Sequence, residues 1–379
     1  MKRQNIWGIA SLALILSVLF VGIYFLYNTK RPAVADSIDG DTDETSESQE
    51  MYAANIASAL ATPKAVYQIS SSTPQFVIFS FDGSKDVSML DETLAFEQKM
   101  QNENKPLHFT YFINAAYFLT SKNSQLYKSP EAASGTSLIG FSDSLADIAL
   151  RVQEFNKAFT MGNEIGSHTA GHFNGSNWSY DKWKQEFNSF FSLMTNVQQN
   201  NPSLHINAPT FLQNIDGFRA PNLGVDDNLY KVLGESGFTH DSSGVNANDA
   251  WPSKDAYGVW HIPLGLIILG TDKRPVISMD YNIWTRQSNA QEKAVKGTPL
   301  WNKYFDDVET AYMNYFDTNY NENRSPIVIA DHFSKWNDGV YWEAMKTFAE
   351  NVCGRPNVQC VTFKDVVKYL NTVGAPAKI

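Results

Sequence analysis

From residue 75 onward the sequence alternates short apolar runs with longer amphipathic ones, and this alternation constrains the fold more than any other feature. Segments 76–81, 108–115, 163–168, 217–219, 259–263, 326–331 and 358–363 are apolar and bounded by turn formers, which predicts strands. Between them, 89–101, 145–159, 180–198, 226–235, 304–315 and 340–351 carry apolar residues at helical spacing, which predicts helices. Repeated strand-then-helix units bury each strand under a helix and lead to a mostly parallel sheet or a barrel. Functional side chains are then expected at the carboxyl ends of the strands. No internal repeat of solenoid length is present.

The part before residue 75 has a different character. Residues 6–27 are free of charge, with Lys2 and Arg3 before them and Lys30 and Arg31 after. As a helix this run would span about 33 Å, enough for a bilayer core, and it exceeds the apolar stretch of a cleaved signal, so 1–31 is expected to be a signal anchor. Ala33-Val34-Ala35 resembles a cleavage site but lies beyond the basic flank. Residues 32–72 are expected to form a disordered linker, because 36–50 hold seven acids, no base and little to bury. Asp39, Asp41, Asp43 and Glu50 match calcium-loop positions, but Glu44 stands where that loop needs glycine, so a solvated tether is the better reading. Apart from that acidic run and the four bases of 1–31, 33 acids face 26 bases without a basic stripe, a mild acidity that argues against nucleic acid as a partner. Cys353 and Cys360 flank a Gly-Arg-Pro-Asn-Val-Gln turn that would let them pair as a disulfide, the alternative being two buried thiols.

Four segments carry chemistry. In Gly162-Asn163-Glu164-Ile165-Gly166-Ser167-His168-Thr169-Ala170-Gly171-His172, two imidazoles four residues apart follow a strand, a spacing that on one helical turn lets both rings grip one metal ion. Asp82 ends the apolar run 77–81, where a general base should sit, although an Asx turn would use an aspartate in the same place. Arg219 ends another strand and suits a bidentate grip on a carboxylate, or a surface ion pair. His332 ends 327–331, where a proton donor is useful, or a packed ring.

Taken in order, these segments resemble the polysaccharide deacetylases, the NodB-homology family of carbohydrate esterases, over roughly residues 75–370. Asp82 matches the first motif's catalytic aspartate, and His168-Thr169-Ala170-Gly171-His172 matches the His-(Ser/Thr)-x-x-His metal motif. Arg219-Ala220-Pro221 matches the third motif, with Asn222 in place of its usual aromatic residue. The segment 237–243 with Trp251-Pro252 looks like the fourth motif of the chitin-deacetylase-like branch, and His332 falls where the fifth places its general acid. The resemblance implies a distorted (β/α) barrel over 73–379, preceded by the anchor and linker and lying outside the cytoplasm. It implies Zn²⁺ or another divalent ion, and an N-acetylated envelope or extracellular polysaccharide as substrate. The anchor adds the membrane as a partner. In this reading Asp82 is the base, His332 the acid, Arg219 holds Asp82 and Asp241 orients His332. One departure stands out: the family's second aspartate, a third metal ligand, is replaced by Gly83. Asp82 itself, Asp86 folding back, or a water would have to fill that place. An alternative follows, a carbohydrate-binding homologue without full metal chemistry; hydrolysis of another ester or amide is a third. The stretch 123–142 is expected to be a rim loop of the cleft.

Overall fold

A computed structural model describes residues 46–206, 208–247 and 250–379. The expected anchor and the acidic run up to residue 45 lie outside the described residues; among these, no helix is long and apolar enough to cross a membrane. Residues 46–61, assigned by composition to the disordered linker, instead form helix α1 (Ser46–Ala61). Tyr52 and Ala59 are buried and Ile56 half-buried, so a stripe at helical spacing docks on the body, which acidic composition did not reveal.

The sheet is built as the alternation predicts. Strands β1 (Gln75–Asp82), β2 (Phe109–Ile113), β3 (Glu164–Ser167), β4 (Gly217–Phe218), β5 (His240–Asp241), β6 (Ser253–Lys254) and β7 (Trp260–His261) lie with β10 (Ile327–His332) in the order β10-β1-β2-β3-β4-β5-β7-β6. All of these pair in parallel except β6 with β7, and β11 (Val358–Cys360) pairs in parallel with the start of β1. Strand β1 is buried at every position, as a parallel strand covered on both faces must be, which explains its unbroken apolar run. The antiparallel hairpin β8 (Leu266–Leu269) and β9 (Arg274–Ile277) completes the circuit. An isolated bridge joins Val245 to Leu264 before it, and another joins Met279 to Ala330 of β10 after it. The sheet therefore curls into a distorted barrel whose seam is closed by bridges rather than by a full strand.

Helices α2 (Val87–Asn102), α3 (Leu145–Met161), α4 (Tyr180–Thr195), α5 (Asp227–Glu235), α6 (Asp280–Ser288), α7 (Pro299–Asn321), α8 (Trp336–Val352) and α9 (Phe363–Thr372) surround it. Their ends carry the capping signals the physics asks for. Ser144, Ser179 and Asp226 accept first-turn amides of α3, α4 and α5, and Thr362 with Asp365 forms a capping box on α9. That box shows why the expected strand 358–363 stops at Cys360. Cys353 and Cys360 form a disulfide across a Cα separation of 5.8 Å, fixing the turn between α8 and β11.

Candidate active site

Asp82, His168, His172 and His332 line one small cavity of about 10 Å³, together with Tyr52, Ala220, Asn222, Leu223 and Met279. All four sit at the carboxyl end of the sheet, as the strand arrangement requires. Strands β1 and β10 are neighbours in a register that sets Asp82 opposite His332. His168 directly follows β3, and Arg219 directly follows β4.

The two imidazoles meet with ring centroids 4.9 Å apart at 69°. They do not ride on a helical turn, as their spacing suggested. Residues 168–172 form an irregular bend in which Thr169 (φ 63°) and His172 (φ 60°) take left-handed backbone, uncommon for any residue and costly for a β-branched one. Buried partners hold this conformation. Glu186 of α4 accepts the amides of Ala170 (2.8 Å) and Gly171 (3.0 Å), while its other oxygen accepts the Tyr127 hydroxyl at 2.7 Å. The Thr169 hydroxyl accepts the His172 amide at 3.2 Å, which gives the motif's threonine a role. Asn114 donates to the His168 carbonyl. Gly171 lies so close under the Tyr127 ring that no Cβ would fit.

Charge and tautomer at the pair suit a metal ligand set. The Nδ1–H of His168 donates to the Arg219 carbonyl at 2.8 Å, which leaves Nε2 as a lone-pair donor. Burial drives the His168 pKa down to about 3, assisted by the nearby Arg219 and His332, and burial followed by His168 holds His172 well below its usual value. Both rings are therefore neutral at physiological pH, the form that binds a divalent ion.

Asp82 receives the Arg219 guanidinium at 2.7 Å, with both side chains buried. Arg219 is itself clamped: it donates to Ser80 Oγ (3.0 Å), to Ser242 O (3.1 Å) and to Ser242 Oγ (3.0 Å), and stacks 4.6 Å from the Phe112 ring centroid. Gly83 has φ 90° and its amide donates to the Phe112 carbonyl, so the backbone here takes a shape that strains any L-residue, and no second carboxylate follows Asp82.

Two expected assignments change. Asp86 does not turn back toward the imidazoles; its carboxylate caps α2, accepting Ser88 N at 2.8 Å and Met89 N at 3.3 Å. An aspartate two and three residues ahead of those first-turn amides satisfies donors that no helical carbonyl reaches, and it does not line the cavity. Asp241 does not orient His332 either. It contacts His261 at 3.3 Å and accepts Ser243 Oγ at 2.5 Å, and Ser243 in turn accepts the Ala220 amide at 2.8 Å, so Asp241 braces the segment after Arg219. The partner of His332 is Asp280, the first residue of α6, which takes its Nδ1–H at 2.7 Å and its backbone amide at 2.8 Å. Nothing in the local sequence marked Asp280. Glu186 did leave a signal, a carboxylate among the apolar positions 183, 187 and 190 of an amphipathic helix.

Among the described residues, the three His/Asp/Glu side chains whose ligand atoms all lie within 4.8 Å of one another are Glu164, Asp216 and His240, not the cavity residues. This group occupies the amino-terminal ends of β3, β4 and β5, opposite the cavity. Glu164 and His240 approach to 2.7 Å and Lys364 stands 2.9 Å from Asp216, so both carboxylates already have a neighbour within the protein. Beside the cavity runs an open groove walled by Phe173, Trp178, Lys182, Asn222 and Leu223, with Glu131 and Leu138 of the 123–142 stretch on its rim.

No protein-family model matches the chain, and no curated protein matches it in sequence. Among solved structures, the chain is similar to a protein of Mycobacterium smegmatis described as a polysaccharide deacetylase, at 16% identity over 84% of this chain and 97% of that one, with a TM-score of 0.49. It is also similar to a family 4 acetyl xylan esterase from Clostridium thermocellum in complex with cobalt (14% identity, 79% and 94% covered, TM-score 0.41). A third is a CE4 family pseudoenzyme from Bacillus anthracis (8% identity, 78% and 66% covered, TM-score 0.40).

Proposed function

We propose that this protein is a metal-dependent polysaccharide N-deacetylase, anchored to a membrane through 1–31 with its domain outside the cytoplasm. The observation that carries the reading is the meeting of Asp82, His168, His172 and His332, from the carboxyl ends of the three strands β1, β3 and β10, in one buried cavity. His168 and His172 would hold the divalent ion, with Asp82, the carboxylate lining the same cavity, in place of the Asp that Gly83 replaces. When bound, such an ion polarises the acyl carbonyl and acidifies a water. Asp82 accepts the proton of the attacking water, and the Arg219 guanidinium pairs with that carboxylate and aims it. His332, its Nδ1 fixed by Asp280, presents Nε2 to the cavity and delivers a proton to the departing amine. Acetate release from peptidoglycan, chitin oligomers and poly-N-acetylglucosamine, with and without added Zn²⁺, tests this. Stoichiometric zinc without acetate from any polymer overturns it.

Gly83 favours a second reading. With Asp86 committed to a helix cap, the cavity offers the imidazole pair His168 and His172, with His332 beside them, and a single carboxylate already paired to Arg219. A protein that binds an N-acetylated glycan without cleaving it fits the same site. It predicts glycan binding with substoichiometric metal and no acetate.

A further inference from the structure

The cavity is closed by a residue from outside the span that resembles the deacetylases. Of its lining residues, Tyr52 alone precedes β1, and its side chain is 7% exposed. With that ring in place the free space admits roughly one water molecule. An acetamido group is several times larger, and a sugar larger again, so neither reaches His168 and His172 past this ring.

The helix that carries Tyr52 is lightly held. Only Tyr52 and Ala59 of α1 are buried among its described side chains, and Leu60 is 57% exposed. After the helix comes an exposed Thr62-Pro63-Lys64 segment, and then a firm attachment. Gln68 donates to Ala377 O at 2.9 Å, Ile379 to Val66 O at 2.9 Å, and Tyr67 bridges Lys378. This is a lever with a fixed base, an exposed tie from Lys64 to Glu322 at 2.7 Å, and a seat on Tyr52, Ala59 and half-buried Ile56. Met51 and Asn55, on the same helix, wall the open groove, which shares Asn222 and Leu223 with the cavity, so α1 lies where the two would join.

We propose that α1 is a displaceable cover: Tyr52 plugs the candidate site, and swinging α1 about 62–64 merges cavity and groove into one cleft open to a glycan chain. The inference rests on the reading of that cavity as the active site, and its test is independent of any acyl substrate. Acylation of neutral imidazoles by diethyl pyrocarbonate, read peptide by peptide on the full-length, metal-free chain, reports access directly. In the parent protein His168, His172 and His332 should react at least 10-fold slower than exposed His205. Tyr52→Ala, which removes the plug, and Ala59→Glu, which unseats the helix away from the cavity, should each raise the site rates about 10-fold or more. Buried His240 at the opposite end should stay protected, which establishes that the variants are folded. Amides of α1 should also exchange hydrogen at least 10-fold faster than those of β1 in the unaltered chain. Site histidines as reactive as His205 in the parent overturn the proposal, as does a response to Tyr52→Ala without one to Ala59→Glu. If both variants lose His240 protection, exchange in the parent decides: α1 as slow as β1 refutes the cover. Uncovered histidines in a chain that releases no acetate would sink the deacetylase reading and leave the cover standing.

Discussion

Replacing Arg219 with methionine tests how the candidate site is held together. The side chain is fully buried and pairs at 2.7 Å with a carboxylate that is 2% exposed. Methionine fills most of the same volume but leaves Asp82 without its counter-charge, and breaking one side of a buried pair costs about 3–5 kcal/mol. The further contacts to Ser80 and to Ser242 O and Oγ are lost too, which places the expectation at the upper end of that range. If the uncompensated charge dominates, adding Asp82→Asn should return about 1.5–3 kcal/mol, so the two substitutions together destabilise by less than their separate effects summed. Equilibrium urea unfolding followed by tryptophan fluorescence measures all four corners of this cycle. A loss below about 1 kcal/mol for Arg219→Met, or strict additivity, would refute the view that Arg219 acts chiefly as the counter-charge of Asp82.

Three further outcomes are expected. Asp280→Asn should lower acetate release by about 10²–10⁴-fold while unfolding shifts far less, because the hydrogen bond it weakens orients a proton donor; unchanged turnover in an active parent would exclude the Asp280–His332 couple. Glu186→Gln keeps the size of the side chain but removes the charge that accepts two bend amides and the Tyr127 hydroxyl, so zinc should bind about 10-fold more weakly by titration calorimetry, and unaltered affinity would show that the bend holds itself. Metal-free protein should lose stability below pH 6.5. The unfolded chain takes up protons there on histidines that stay neutral in the fold down to about pH 3 for His168, which gives a slope of about 1.4 kcal/mol per pH unit from that residue. A His168→Asn variant with the same slope would discount this source.

Much of this was legible in the residues. Asp82 and His332 each end an apolar run, and runs that long can be buried only as central strands, so their ends are marked in the sequence itself, whereas His168 and Arg219 follow strands of only four and two residues. Asp86 was legible in another sense: an aspartate just ahead of an amphipathic stretch is a cap, and its proximity to Gly83 suggested chemistry instead. What composition hid is tertiary. Asp280 opens a helix that follows a two-strand hairpin, and its carboxylate acquires meaning only because Met279 bridges Ala330 beside His332. Glu186 serves a bend that precedes it in the chain. Tyr52 sits in a segment whose acids announce a tether, and only the stripe shared with Ala59 gives it a surface to meet.

The side-by-side placement of β1 and β10 has a consequence for biogenesis. Asp82 and His332 become neighbours only when the first strand of the domain receives its partner from near the domain's far end. No growing chain can hold both, so their meeting waits until almost the whole domain has emerged. Until then β1 presents one bare apolar edge, which makes the wait for β10 the stage at which a holding chaperone would matter most.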